Sequence, residues 1–285
     1  MPKFAATAAA PMRIAEALVQ GRTLLATSSS PALDCQLLLG KITRQSRAWL
    51  LAHDDQYLQP SQQEQLATLL ARRAAGEPMA YLLGTQGFWD MDLEVNPATL
   101  IPRPETELLI ELLQTLPAEV PLKVIDLGTG SGAIAIAASR ERPHWDQYAS
   151  DTSAAALSVA RRNAQRWSPT AIRFIQTDWL RPFSPASFDV IVANPPYINP
   201  QDHHLAALQF EPTAALVAAA DGYADLASII DQAKTRLRPG GWLLLEHGYQ
   251  QQTPLQILLS KQGFTQIQTF ADLNHQPRAI MAQQP

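Results

Sequence analysis

From Leu122 to the C-terminus, strand-like and helix-like patterns alternate, and this alternation restricts the possible folds more than any other feature. Short apolar runs suited to buried strands cover Lys123 to Leu127, Trp145 to Ser150, Ile172 to Gln176, residues 188–194 and Trp242 to Glu246. Helical patterns separate them: the small-residue run Ser131 to Arg140, then Ser153 to Arg166, then Asp221 to Leu237 with apolar Leu226, Ile229, Ile230 and Ala233. Two further extended stretches, 264–270 and 278–283, close the chain. A helix between successive strands carries the chain back to the start of the sheet. The expected fold class is therefore α/β, with a mostly parallel sheet covered by helices.

The chain before Leu122 follows another rhythm. Over residues 12–83 apolar side chains recur at helical spacing, as in Ile14, Leu18 and Val19, in Leu33, Leu37 and Leu38, and in Leu66, Leu69 and Leu70. Ser30-Pro31 suits an N-cap followed by proline in the first turn, and Pro60-Ser61 suits another helix start. This segment reads as a bundle of four or five helices. Over 84–100, Phe88, Met91, Leu93 and Val95 are interrupted by Gly84, Gly87, Asp90, Asp92, Asn96 and Pro97, as in a β-hairpin. A loop from Ile101 to Glu107 leads into a helix from about 105 to 115. The expected organisation is a helical bundle over 1–83, a hairpin linker over 84–103 and an α/β domain over 104–285.

A chain of 285 residues has room for both domains, and 46% hydrophobic with 17% charged residues fits a globular protein. The net charge of −4 argues against a general nucleic-acid binder, which carries a basic face. Cys35 is the only cysteine, which excludes an intramolecular disulfide and a Cys-rich zinc site and fits a reducing compartment. No apolar run reaches the roughly 18 residues of a membrane span. Met1 to Pro11, Ala-rich with a single Lys, lacks the apolar core of a signal peptide and reads as a frayed N-terminus. The expected location is the cytoplasm, with no membrane and no direct nucleic-acid partner. His203-His204 reads as a solvated loop; no metal-ligand cluster stands out, and no metal is expected.

Two constellations carry chemistry. The first is Asn194-Pro195-Pro196-Tyr197, directly after the apolar run Phe188 to Ala193. Two prolines cannot continue a sheet or open an ordinary helical turn, so the strand stops and leaves Asn194 and Tyr197 at its C-terminal end. Ligands of open α/β sheets bind at those ends. The Asn194 oxygen and the Pro195 backbone carbonyl can accept hydrogen bonds from a planar NH2 group, and Tyr197 offers a flat face to stack on it. The second is Asp126-Leu127-Gly128-Thr129-Gly130-Ser131-Gly132, an acid and glycine turn between strand and helix. It lacks the third glycine of Gly-x-Gly-x-x-Gly, because position 133 is Ala. A carboxylate at Asp126 would repel a pyrophosphate but attract an ammonium or sulfonium. Asp151, 25 residues further on, ends the second strand and can bind ribose hydroxyls. Asp178 can accept from an adenine amino group, and Trp179 can cover the ring. Together they describe a site for S-adenosylmethionine. The bland alternative is that Asp126 caps the next helix and Asp151 merely ends a strand.

These residues, with Asn163-Ala164, resemble a class I S-adenosylmethionine-dependent methyltransferase acting on an amide or amino nitrogen. The loop Leu100-Ile101-Pro102-Arg103-Pro104-Glu105-Thr106-Glu107 narrows the resemblance, together with Gly76-Glu77-Pro78, Ala80-Tyr81, Gly84, Glu211-Pro212, Asp221-Gly222 and Leu245-Glu246-His247-Gly248. With them the chain resembles the peptide chain release factor N5-glutamine methyltransferase family (PrmC/HemK) over about residues 30–285. The resemblance implies a Rossmann-like, mostly parallel seven-stranded sheet. It implies S-adenosylmethionine as cofactor, S-adenosylhomocysteine as product, and the glutamine of the Gly-Gly-Gln motif in class 1 release factors as substrate. Gly128, Thr129, Gly130, Ser131, Gly132, Asp151, Trp179 and Asn194 carry over as cofactor-binding, and Asn194, Pro195, Pro196 and Tyr197 as the glutamine clamp. Asn194, Pro195 and Tyr197 are the expected catalytic set. The bundle and hairpin would help to hold the release factor.

Arg103 sits between two prolines that stiffen its loop, which suits lining a substrate site; a plain helix N-terminal region is the alternative. His247 replaces an expected aliphatic residue and reads as a packing variation next to the sheet edge. The Asn-Pro-Pro-Tyr motif alone is shared with ribosomal-protein glutamine N5-methyltransferases and adenine-N6 DNA methyltransferases. The Ile101-to-Glu107 loop speaks against the first, and the acidic composition against the second. A non-catalytic adaptor would not need both motifs intact.

Overall fold

A computed structural model of the chain describes residues 11–117 and 119–285; the expectation of a frayed N-terminus falls on residues 1–10, outside the described residues. The chain divides into two compact units between Gly84 and Thr85.

Among the described residues the first unit has five helices: α1 (Ile14–Leu24), α2 (Pro31–Thr43), α3 (Arg47–Ala52), α4 (Pro60–Ala74) and α5 (Met79–Leu83). Their apolar stripes meet in a core that includes Ile14, Leu38, Leu39, Leu50, Leu66 and Leu70. Cys35 lies in this core, where burial pushes its thiol up to about 11, so it packs as a small hydrophobe. Ser30 and Pro31 start α2 as expected, but the Ser30 hydroxyl does not cap the helix. It donates to Asp34 (2.9 Å), as Ser28 does (2.7 Å), and the Arg73 guanidinium donates to the same carboxylate (2.7 Å). Burial alone would push the Asp34 carboxyl up, but these donors together hold it below its ordinary value.

The second unit opens with an antiparallel hairpin, β1 (Thr85–Phe88) and β2 (Met91–Glu94), and a 3-10 turn, Pro104–Thr106, that runs into α6 (Glu107–Gln114). The hairpin belongs by its packing to this unit. Phe88, Met91 and Leu93 join the core under α6, and the Asn163 side chain accepts from the Glu94 amide (2.7 Å). The alternating region then forms β3 (Lys123–Leu127), α7 (Ala133–Glu141), β4 (Asp146–Asp151), α8 (Ala154–Trp167), β5 (Arg173–Gln176), β6 (Phe188–Ala193), α9 (Ala219–Gly222), α10 (Ala224–Arg236), β7 (Leu237–Glu246), α11 (Gln252–Lys261), β8 (Thr265–Ala271) and β9 (Pro277–Gln283).

The seven strands lie in the order β5-β4-β3-β6-β7-β9-β8, and β9 alone runs against the others. Side chains alternate between two cores, as strand geometry requires. Val124, Val190, Val192 and Leu244 face one helical layer, and Ile125, Ile191, Ala193 and Leu245 face the other. The chain fills the sheet outward from β3 and then returns to place β6 on the other side of β3. This reversal is the topological switch point where such sheets bind ligands. The register pairs Leu127 with Ala193, so Gly128 and Asn194 leave neighbouring strand ends together.

Several boundaries differ from expectation, each for a local reason. α7 begins at Ala133, not Ser131, because Gly130 and Gly132 hold left-handed backbone. α10 begins at Ala224, not Asp221, because Ala220 and Asp221 take φ +52° and +56°. β7 reaches back to Leu237, and its pairing with β6 shifts between Phe188 and Val190 around Gly240-Gly241. β7 lies between β6 and β9, so His247 is not beside the sheet edge. No helix of the described residues is long and apolar enough to cross a membrane.

Candidate active site

The glycine loop after β3 is held from beneath. Asp126 is 1% exposed, and its Oδ2 accepts from Thr129 Oγ1 (2.6 Å) and from the Ala135 amide (3.2 Å) in the first turn of α7. The bland reading therefore describes this oxygen: Asp126 ties the loop to the helix start. Its Oδ1 is buried without a hydrogen-bond partner. Burial raises the Asp126 carboxyl to about 7, against the pull of the Thr129 and Ala135 hydrogen bonds. Gly132 has φ +87°, and a Cβ there would stand 2.9 Å from Ile136 Cδ1, so only glycine passes between α7 and α8 without strain.

Asp151, at the end of β4, accepts from the Gly130 amide (3.0 Å) and the Ser153 amide (2.8 Å), so one carboxylate orients both the glycine loop and the start of α8. A carboxylate has about four acceptor positions, and these bonds leave capacity for a ligand. Trp179 holds left-handed backbone (φ +49°), uncommon for a bulky residue. Its indole approaches Gly128 so closely that a Cβ there would meet Trp179 Cζ3 at 3.4 Å.

A cavity of about 500 Å³ opens at these strand ends. Of the expected residues, Gly128, Gly130, Asp151, Trp179, Asn194 and Pro196 line it, together with Asp178. Thr129, Ser131, Gly132, Pro195, Tyr197 and Arg103 do not lie on its wall. Its ionisable lining is Asp151, Asp178 and Asp225, with no Lys or Arg. Such a wall suits a cationic adenosine compound and opposes a pyrophosphate. On this donor set, S-adenosylmethionine fits: Asp151 for ribose hydroxyls, Trp179 for the adenine face, and the glycine loop for close backbone approach.

Behind Asn194 runs a buried polar chain. Asn194 Nδ2 donates to Thr106 Oγ1 (3.1 Å), and Thr106 Oγ1 donates to Glu246 Oε2 (2.7 Å). The Tyr197 hydroxyl donates to Glu246 Oε1 (3.1 Å). Tyr197 is thus anchored through its hydroxyl, and burial first, then the Glu246 charge, push its phenol above the ordinary range. Burial also raises Glu246 to about 7, opposed by the Thr106 and Tyr197 hydrogen bonds and the Arg278 charge. The Tyr197 carbonyl accepts from Gln251 Nε2 (3.2 Å). Arg103 is paired with the buried Glu211, whose other oxygen accepts from the Ile101 amide (3.0 Å). The guanidinium expected to meet substrate is thus engaged in fixing its own loop. His247 is fully buried, with Nδ1 paired to the Gly248 carbonyl (2.8 Å), and burial holds its pKa below the usual histidine range.

Residue patterns alone did not point to Thr106, Glu211, Asp225 or Glu246 as parts of this site. A signal existed for Glu246: an acid at the end of the apolar run Trp242 to Leu245 must find partners once buried.

Comparison with known proteins identifies the family and the fold. Residues 105–274 match the Methyltransferase small domain family, and residues 16–84 match the PrmC N-terminal domain. The chain is 44% identical over 260 residues to a release factor glutamine methyltransferase of Coxiella burnetii, covering 91% of this chain and 94% of that protein. It is 45% identical to one of Salmonella typhimurium (87% and 90% covered) and 42% identical to one of Escherichia coli (90% and 94%). Among solved structures it resembles in fold a methyltransferase from Pyrococcus furiosus (TM-score 0.53, 16% identity, 76% of this chain and 98% of that one). It also resembles in fold the T. thermophilus 16S rRNA N2 G1207 methyltransferase in complex with AdoMet and guanosine (TM-score 0.52, 20% identity, 70% and 50%).

Proposed function

The chain belongs to the release factor glutamine methyltransferase family, and on that premise we propose that it methylates N5 of the glutamine in the Gly-Gly-Gln motif of class 1 peptide chain release factors. The cofactor is S-adenosylmethionine, and the product S-adenosylhomocysteine. The observation that carries the site assignment is the Leu127–Ala193 pairing, which sets the glycine loop and Asn194 beside one another on a cavity with an acidic wall.

An amide nitrogen is a poor nucleophile because its lone pair is delocalised into the carbonyl. When bound, S-adenosylmethionine supplies an electrophilic methyl group on a sulfonium. Asp151, Trp179 and the glycine loop place it. The Asn194 oxygen and the Pro195 carbonyl accept the two N–H hydrogens of the glutamine amide. This would aim the nitrogen lone pair at the methyl group and stabilise positive charge developing on nitrogen. The S–CH3 bond electrons stay on sulfur, and the methylated amide gives up one N–H proton to solvent. Orientation of this kind contributes up to about 7–11 kcal/mol in the best intramolecular cases. Tyr197, which closes the Asn194-to-Tyr197 segment, is fixed through its hydroxyl on Glu246. The helical unit, in this reading, helps to hold the release factor, and the reaction takes place in the cytoplasm, where release factors act.

The test is methyl transfer from labelled cofactor to a purified class 1 release factor, with Gln→Ala in its Gly-Gly-Gln motif as control. Label should enter the native factor and not the control. Equal labelling of both, or labelling only of ribosomal protein or DNA supplied in parallel, would overturn the assignment.

A further inference from the structure

Neither Thr106 nor Glu246 lies on the wall of the cavity, yet both stand behind the side chain assigned to bind the amide. Glu246 closes β7 at 1% exposure, and Thr106, at the end of the 3-10 turn before α6, is 4% exposed. An ionised carboxylate accepts hydrogen bonds and donates none. Since Oε2 of Glu246 takes the Thr106 proton (2.7 Å), Thr106 offers Asn194 only a lone pair. The NH2 end of Asn194 alone can use it, as the 3.1 Å contact records. A primary amide is planar, with its oxygen on the other side from that nitrogen, so the relay turns Oδ1 away from Thr106. Because Asn194 lines the cavity, that oxygen is the end left for a ligand.

We propose that Thr106 and Glu246 are positioning residues: the Glu246 carboxylate, acting through the Thr106 hydroxyl, holds the Asn194 amide with its oxygen toward the substrate. The inverted amide would present N–H donors to the N–H donors of glutamine and lose the clamp. Burial raises the Glu246 carboxyl to about 7 against the Arg278 charge and the Thr106 and Tyr197 hydrogen bonds. The relay therefore runs in this direction in the ionised form, above that pH, where the Tyr197 hydroxyl satisfies the second oxygen. This also explains why a threonine stands in the Ile101-to-Glu107 loop: a hydroxyl there accepts and donates at once. The inference rests on the reading that Asn194 binds the glutamine amide.

The full-length protein is assayed by single-turnover methyl transfer to a release factor, with cofactor affinity and thermal unfolding measured in parallel. Thr106→Val keeps the shape and removes the hydroxyl. Its rate should fall about 10- to 100-fold, as expected for one lost and one unsatisfied hydrogen bond, while cofactor affinity stays within about twofold. Thr106→Ser should recover most of the rate. Adding Thr106→Val to Asn194→Ala should cause no further loss, because the hydroxyl acts only through Asn194. Normal turnover in Thr106→Val, an additive loss in the double variant, or a parallel loss of cofactor affinity overturns the relay. If Asn194→Ala itself turns over normally, the amide-binding reading fails, and the relay with it. Should Thr106→Val fail to fold, exchange of the 15N-labelled Asn194 side-chain NH2 in the unaltered protein decides. Protection supports the relay, and free exchange overturns it.

Discussion

Asn194 is placed to receive its ligand by one covalent accident and one buried network. The prolines that follow it end β6, and the Thr106–Glu246 pair behind it sets its amide. Asn194→Ala should therefore keep cofactor affinity within a modest factor and lose about 100- to 1,000-fold in single-turnover rate, the usual effect of deleting a transition-state hydrogen bond. Arg103 separates a structural from a recognition role. Glu211 is 3% exposed at its side chain, so removing its cationic partner in Arg103→Met leaves a buried carboxylate held only by the Ile101 amide. The expected loss is about 1–3 kcal/mol in denaturant unfolding, at the low end because the guanidinium is partly solvated. An unchanged stability with a raised KM for the release factor would instead return Arg103 to the substrate site.

At the scale of elements, the site is a meeting of strand ends, and close backbone approach holds it together. Gly132→Ala puts a Cβ at φ +87°, 2.9 Å from Ile136 Cδ1 and 3.2 Å from Ala160 Cβ. It should destabilise the second unit by about 1–3 kcal/mol, read by denaturation. Gly222 has φ +89°, and a Cβ there would lie 2.3 Å from the Tyr197 carbonyl oxygen. Gly222→Ala must displace the segment after Asn194, so its turnover should fall more steeply than its cofactor affinity. Strand and helix types were legible because burial on both faces leaves apolar runs, while amphipathic helices repeat near every 3.6 residues. Element starts were less legible. Residues 220 and 221 carry ordinary side chains, Ala and Asp, and nothing local announces their left-handed backbone.

At the scale of the whole molecule, stability depends on the protonation of a buried carboxyl that holds the glycine loop. Asp126 is raised from 3.8 to about 7 in the folded chain, so between those values the native state keeps a proton that the unfolded chain has released. Its contribution to stability is thus largest below about pH 4 and is lost as the pH rises through about 7. Asp126→Asn removes that titration and keeps an oxygen for Thr129 and Ala135. The melting temperature of the variant minus that of the cofactor-free wild type should rise between about pH 5 and pH 8, since the other titrating groups are common to both proteins. A constant difference across that range would mean that Asp126 is ionised throughout. The sequence by itself determined the α/β alternation, a bundle of four or five helices before it, the glycine loop and the proline-terminated strand, because each is written in periodicity or in residues with restricted backbones. Only the tertiary structure decided that β6 returns beside β3, that Thr106 and Glu246 stand behind Asn194, and that Arg103 meets Glu211. Those pairs lie 88, 140 and 108 residues apart along the chain, and contacts at such separation come from sheet order and packing, which no local pattern encodes.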